Sequence, residues 1–148
     1  ANLTSAKFSE TDCSYVNFEG SDLTNTSFYT YPPSKIKTTL EDAKLNNANL
    51  TEASLSNIYV QSANFQNANL TKIRLTNCNL SRANLSGANL TDAIFEGNTI
   101  FFNSNLSGVT LPDTENCSEA NFSKARNLSP DNKAFIIKVN IAIYWAAS

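Results

Sequence analysis

Histidine is absent from this 148-residue chain, and so is methionine. Without histidine the commonest general base is gone, and with it any Ser-His or Cys-His nucleophile pair. Only four glycines are present, and none builds a loop of the phosphate-cradling type. Charged residues make up 16% of the chain and leave a net charge of −2. That balance excludes the basic patches of a nucleic-acid binder and is too mild for a polyanion mimic. No apolar run reaches the ~18 residues of a membrane span. Three cysteines, Cys13, Cys78 and Cys117, form no C-x-x-C pair, which argues against a zinc site. Their odd number leaves at least one thiol without a partner in the chain. No metal or cofactor is expected. The sequence opens at Ala1, already inside a repeat. Signal cleavage leaves such an end and so does removal of an initiator Met. Export to a periplasm or thylakoid lumen is the expectation, with cytoplasmic residence the alternative.

What the chain does have is a beat of five. Leu40, Leu45, Leu50, Leu55, Val60, Phe65, Leu70, Leu75, Leu80, Leu85, Leu90, Phe95 and Ile100 sit at every fifth position. Two residues before most of them stands Ala, as at Ala43, Ala48, Ala63 and Ala88, and between the two stands Asn, as at Asn49, Asn69 and Asn84. Period five fits neither a helix, at about 3.6, nor a flat strand, at about 2. An earlier block, Leu3, Phe8, Cys13, Phe18, Leu23 and Phe28, keeps the same beat.

Five residues cover one side of a square, and four sides make a coil of about twenty residues whose neighbours stack at strand spacing, roughly 4.8 Å. Ladders are therefore expected at intervals of twenty: Leu40, Val60, Leu80 and Ile100; Leu45, Phe65 and Leu85; Leu50, Leu70 and Leu90; Leu55, Leu75 and Phe95. The centre residue and the Ala point inward, and the Asn, Ser and Thr point to solvent. Each buried Leu or Phe contributes about 1.5–3 kcal/mol, and repeats are stabilised chiefly by their neighbours. Cys13 and Cys78 then lie about three coils apart, roughly 15 Å, too far for a disulfide.

Units such as Ala88-Asn-Leu-Thr-Asp and Ala83-Asn-Leu-Ser-Gly resemble the A-(D/N)-L-x-x consensus of the pentapeptide-repeat family, over most of residues 1–128. The resemblance implies an all-β, right-handed quadrilateral β-helix. Leu128-Ser-Pro-Asp-Asn-Lys-Ala resembles the start of the C-terminal helix of cyanobacterial members, which implies a cap helix and a cyanobacterial source. The expected organisation is a β-helix over residues 1–128, with an inserted loop at 29–39, and a cap helix over 129–148. Ser129, Pro130 and Asp131 read as N-cap, first-turn Pro and first-turn acid. Ile137, Val139, Ile141, Ile143 and Trp145 alternate like a strand, so a strand stays open for this segment. Phe135, Ile137, Ile141, Tyr144 and Trp145 are expected to cover the last coil or to form a dimer surface.

The interruptions carry the functional candidates. Phe28 and Leu40 are twelve residues apart instead of ten, which reads as about two extra residues. This segment supplies Tyr29, Tyr31, Lys35 and Lys37 as binding candidates, since solenoid insertions often bind; the alternative is a tolerated surface insertion. The register slips by one near Asn103–Leu106, and Pro112–Glu119 is irregular. Phe101 and Phe102 follow Ile100 at positions that face outward in the regular pattern, where with Ile94 they are candidates for an exposed apolar patch; burial beneath the bulge or the C-terminal cap is the favoured reading. Tyr59 and Arg74 also break the small outer pattern. Glu10, Asp42, Glu52, Asp92 and Glu96 read as solvated surface acids, and the Asn-Leu-Thr and Asn-Leu-Ser triplets as products of the repeat, not glycan sites.

The function expected is that of a non-enzymatic structural or protein-interaction module with an unnamed protein partner, monomeric or an end-to-end dimer. A gyrase-directed DNA mimic, known among pentapeptide-repeat proteins, is the alternative. The charge of −2, and Lys44, Lys72, Arg74 and Arg82 among the acids, weigh against it.

Overall fold

Each five-residue unit becomes one face of a square coil in the computed structural model, which describes residues 1–117 and 119–147. The coils stack into a right-handed quadrilateral β-helix closed by one C-terminal helix. One face is extended enough to form strands: β1 (Lys7–Ser9), β2 (Ser27–Tyr29), β3 (Ser54–Ser56), β4 (Arg74–Thr76) and β5 (Ile94–Glu96). They pair in sequence order as one parallel sheet, with Phe8, Phe28, Leu55, Leu75 and Phe95 in register. The other three faces pair through shorter bridges, such as Thr39–Tyr59–Asn79, Lys44–Asn64–Asn84 and Asn49–Asn69–Asn89.

The interior follows from the sequence. The centres from Leu23 to Phe95 are almost completely buried, and the Ala column is buried beside them. Leu3 and Phe8, in the first coil, are only partly buried.

Corners are made by the second residue after each centre. There φ is positive, as at Asn47 (58°), Asn67 (55°), Asp92 (55°) and Gly87 (69°). Asn, Asp and Gly tolerate this conformation best. After three of the four faces the corner closes with a turn hydrogen bond from the Ala amide to the preceding centre's carbonyl, for example Ala63 to Val60 (3.3 Å), Ala68 to Phe65 (2.9 Å) and Ala93 to Leu90 (3.0 Å).

The corner after the strand face is different. It has no such backbone bond at Ile58 or Cys78. At several levels a side chain from the next face satisfies the local carbonyls instead. The Cys78 thiol donates to Leu55 O (3.1 Å), and the Thr99 hydroxyl to Leu75 O (3.2 Å) or Glu96 O (2.9 Å).

Both register changes within the regular wall fall at this corner. Offsets of 27 residues, as in Phe28↔Leu55 and Asp12↔Thr39, replace the usual 20. From Phe28 to Leu40 is thus a single face, and seven residues are inserted, not two. The one-residue slip also lies earlier than expected. Asn79 pairs with Ile100 and Asn84 with Asn105, offsets of 21, while Arg74 still pairs with Ile94. The extra residue is therefore in Gly97–Thr99, and Phe101 takes the centre position assigned to Ile100. Asn77 Oδ1 accepts from the Asn98 amide (3.0 Å), and a Cβ at Gly97 would run into that oxygen.

Helix α1 (Pro130–Ala147) settles the strand alternative for the last segment. Ser129 caps it through its hydroxyl, which accepts from the Asn132 amide at 3.1 Å. Asn132, Ile136 and Val139 are buried, and Phe135 meets Phe122 edge-on at 5.9 Å. This is an i, i+3, i+4, i+7 stripe. Ile137, expected in the cap, is instead 58% exposed. The side chains of Ile141, Tyr144 and Trp145 lie outside the described residues. Pro112–Glu119 contains one 3-10 turn, Thr114–Asn116, beside the buried Cys117. No described helix is long and apolar enough to cross a membrane.

Candidate interaction site at the loop corner

The wall is chemically uniform because its polar side chains bond to one another. In each Asn-Leu-Thr unit the Asn Oδ1 accepts from the hydroxyl two residues on: Thr51 to Asn49 at 2.7 Å, Thr71 to Asn69 at 2.7 Å, Thr91 to Asn89 at 2.6 Å. On the preceding face the amides form a ladder: Asn84 donates to Asn64 (3.1 Å), Asn105 to Asn84 (3.0 Å) and Asn127 to Asn105 (2.8 Å). These triplets serve the turns, as the repeat pattern implies.

The loop departs from this uniformity. Its neck is closed by two buried threonines: the Thr38 amide donates to the Thr30 hydroxyl at 2.8 Å, and the Thr38 hydroxyl donates to Tyr29 O at 2.7 Å. Between them Tyr31–Lys37 are the seven inserted residues. Ser34 N donates to Tyr31 O (2.8 Å), folding the tip into a turn. Tyr31 and Ile36 are largely exposed. Tyr29 lies edge-on to Tyr31 with ring centres 4.9 Å apart.

Two clefts flank the loop. One, of about 390 Å³, lies over the strand face and is lined by Lys7, Ser27, Tyr29, Tyr31, Ser54 and Asn57 among others. The second, of about 350 Å³, lies over the next face and includes Lys37, Asn57, Tyr59, Asn98 and Ile100. Asn57 borders both, and its amide reaches Thr30 O at the loop neck (3.4 Å). The structure therefore brings together Tyr29 and Tyr31, with Lys37 across the corner, and adds Lys7, Tyr59, Asn98 and Ile100, which the loop segment alone does not reveal. Lys35 is exposed on the loop and lines neither cleft.

Phe101 and Phe102 part company. Phe101 is fully buried, with its ring 4.9 Å from Phe95 and stacked on Phe122 at 4.7 Å. The earlier slip turns it inward, in line with the burial reading, and removes it from the surface binding candidates. Phe102 is 38% exposed, with Lys124 Nζ 5.5 Å from its ring centre, and it does not line either loop cleft.

Charge elsewhere is locally balanced. Arg74 donates to Glu96 at 2.6 Å, and this bond holds the Glu96 carboxyl below the usual carboxylate range. Lys72 lies 3.9 Å from Glu52. The Thr24 and Ser14 hydroxyls lower Asp22 and Asp12 in the same way. Burial pushes the Cys78 and Cys117 thiols up to about 12. All three cysteines are free. Among the described residues, no group of three His, Cys, Asp or Glu side chains converges in a way that could hold a metal.

A regular four-sided solenoid with one decorated corner defines a repeat scaffold. The chain belongs to the pentapeptide-repeat family: the description "Pentapeptide repeats" matches in eight copies over residues 1–29, 36–58 and 61–97, more than half of the sequence. The match is interrupted inside the loop and ends at Gly97, the site of the slip. No curated protein matches the chain in sequence. Among solved structures it is similar to QnrB1, a plasmid-mediated fluoroquinolone resistance protein, at 21% identity, covering 88% of this chain and 79% of that one, with a TM-score of 0.45. It is also similar to HetL, a pentapeptide repeat protein involved in heterocyst differentiation regulation in Nostoc sp. strain PCC 7120, at 24% identity over 85% and 59% of the two chains (TM-score 0.32). A pentapeptide repeat protein of the Arabidopsis thaliana thylakoid lumen matches at 22% over 88% and 77% (TM-score 0.27).

Proposed function

We propose that this chain is a non-enzymatic interaction module that contacts a protein partner through the Tyr31–Lys37 loop. The observation that carries this reading is the closed Thr30–Thr38 neck. It holds an exposed Tyr, Ile and Lys-bearing segment away from a wall whose Asn-Leu-Thr units and Asn ladder are bonded to one another. Insertions on a rigid scaffold are where binding residues concentrate. The lack of histidine and the solvated positions of Glu10, Asp42, Glu52 and Asp92 support a role without catalysis. The DNA-mimic alternative has less support, because Lys72 and Arg74 pair with Glu52 and Glu96 on the wall. Export to a periplasm or lumen accompanies this proposal, and fractionation of cells that make the protein tests it.

The test of the contact is a pull-down with the intact chain and with a chain lacking Tyr31–Lys37. Loss of specific partners on excision is the expected result. An identical partner set would remove the loop from consideration.

A further inference from the structure

We infer that the partner segment is acidic and extended, and that it lies along the loop corner with its carboxylates at Lys7, Lys35 and Lys37. This rests on the loop reading above and adds the chemistry of the ligand. Charge complementarity is the first argument. Neither cleft is lined by a carboxylate, although the chain as a whole carries −2. Lys7, Lys35 and Lys37 are exposed and make no ion pair among the described residues. The two clefts therefore present lysines and no carboxylate; Glu10 and Asp12 are exposed on the first coil below the loop neck but line neither cleft, so the cations of the clefts face an incoming anion.

Apolar surface is arranged to take the alternating side chains. Tyr29 and Tyr31 line the cleft over the strand face and Tyr59 with Ile100 the cleft over the next face, with Asn57 shared between them at the corner. Ser27 and Ser54 line the first cleft, where their hydroxyls are of the right type to donate to ligand carbonyls. The tyrosine rings meet at 67° instead of lying parallel. They offer no slot for a stacked base, which favours a peptide over a single-stranded nucleic acid.

Length follows from the stack. Lys7 lies in the first coil, and the ladder from Asp12 through Thr39, Tyr59 and Asn79 to Ile100 rises four rungs. At strand spacing this is about 19 Å, the reach of about six extended residues.

The experiment is fluorescence anisotropy with a fluorescein-labelled Glu-Leu-Glu-Leu-Glu-Leu peptide. Its Gln-Leu-Gln-Leu-Gln-Leu counterpart and a six-nucleotide oligothymidylate serve as controls. Three exposed ion pairs at about two- to threefold each predict about tenfold tighter binding of the Glu peptide than of the Gln peptide. The K7Q/K35Q/K37Q variant should lose that same factor. Raising salt from about 50 to about 500 mM should weaken the Glu peptide several-fold and leave the Gln peptide unchanged. Equal binding of the two peptides, no binding of the Glu peptide, or equal binding of the oligothymidylate would each overturn the inference. If loop excision still removes partners in the pull-down, only the acidic class has failed. If excision also changes nothing, the loop reading has failed with it.

Discussion

Thr38 and Thr30 meet across the base of the loop, the Thr38 amide donating to the Thr30 hydroxyl at 2.8 Å. In the regular coils the equivalent residues are chain neighbours, as Asn57 and Ile58 are. Removing Tyr31–Lys37 therefore restores a coil of standard length. Asn57, Asn77 and Gly97, the equivalents of Thr30, take positive φ, and Thr30 does not. An excised chain that keeps Thr30 should lose about 1–2 kcal/mol, because a β-branched residue must then turn the corner. Adding Thr30→Asn should recover most of it. Urea midpoints of the two excised chains measure the difference, and equal midpoints would refute this account of the corner.

Thr38 also donates its hydroxyl to Tyr29 O inside the wall. Thr38→Val leaves that carbonyl without a donor. The expected cost is about 1–2 kcal/mol, with faster proteolytic nicking in Tyr31–Lys37 than in the parent. A midpoint and cleavage rate equal to the parent's would show that the neck does not depend on this bond.

Neighbouring phenylalanines near the slip should behave in opposite ways. Phe101→Ala empties a site between Phe95 and Phe122 and should cost about 3–5 kcal/mol. Phe102→Ala removes a partly exposed ring and should cost under about 1 kcal/mol. Thermal or urea unfolding of both variants checks the order, and the reverse order would return the slip to Asn103–Leu106.

Tyr15 turns its corner with φ of 61° while its ring is 75% exposed. The ring gains little from packing and the backbone is strained. Tyr15→Gly should therefore raise stability by about 0.5–1 kcal/mol, since relief of strain exceeds the added chain entropy. A lower unfolding midpoint for this variant would contradict the assignment of strain.

The buried thiols give a dependence on alkaline pH. Unfolded cysteine releases its proton near 9.0, while folded Cys78 and Cys117 hold theirs to about 12. Between these values the native state binds more protons than the unfolded one, so stability falls as pH rises. The urea midpoint should decline from pH 9 upward, and less steeply in Cys78→Ala. Iodoacetamide at pH 8 should label neither thiol in the folded chain and both after denaturation. Rapid labelling of native Cys78 would show that its coil opens.

The interior was legible because burial and spacing coincide. Leu45, Phe65 and Leu85 stack as the twenty-residue arithmetic requires, and Ser129 caps the helix as its position suggests. The alternation of Ile137–Trp145 left a strand open beside the expected helix, because an apolar helix of this composition also alternates, and the start signals at Ser129–Asp131 pointed to the helix that forms. Gly97–Thr99 was harder, since Ile100 and Phe101 are both apolar and either could occupy the centre. Only the ladder partner distinguishes them, and that is information about the neighbouring coil. At the decorated corner Ala gives way to Thr38, Ile58 and Cys78 at intervals of twenty, but the substitution alone does not reveal the missing turn bond, since Ile73 also replaces Ala and keeps its bond to Leu70 O at 3.1 Å. The clefts were not legible, because Lys7, Tyr59 and Asn98 come from three different coils.

That missing turn bond has a structural consequence for how such a chain can change. Where the other corners are locked by their own amide and carbonyl, this one is stitched at several levels by replaceable side chains such as Thr38, Cys78 and Thr99, a seam along one edge of the solenoid. Seven residues have entered it at one level and one residue at another, with Leu55, Leu75 and Phe95 still in line behind them. The seam works as an expansion joint: new segments can be spliced in along one edge, each presented beside the last, without rewriting the core.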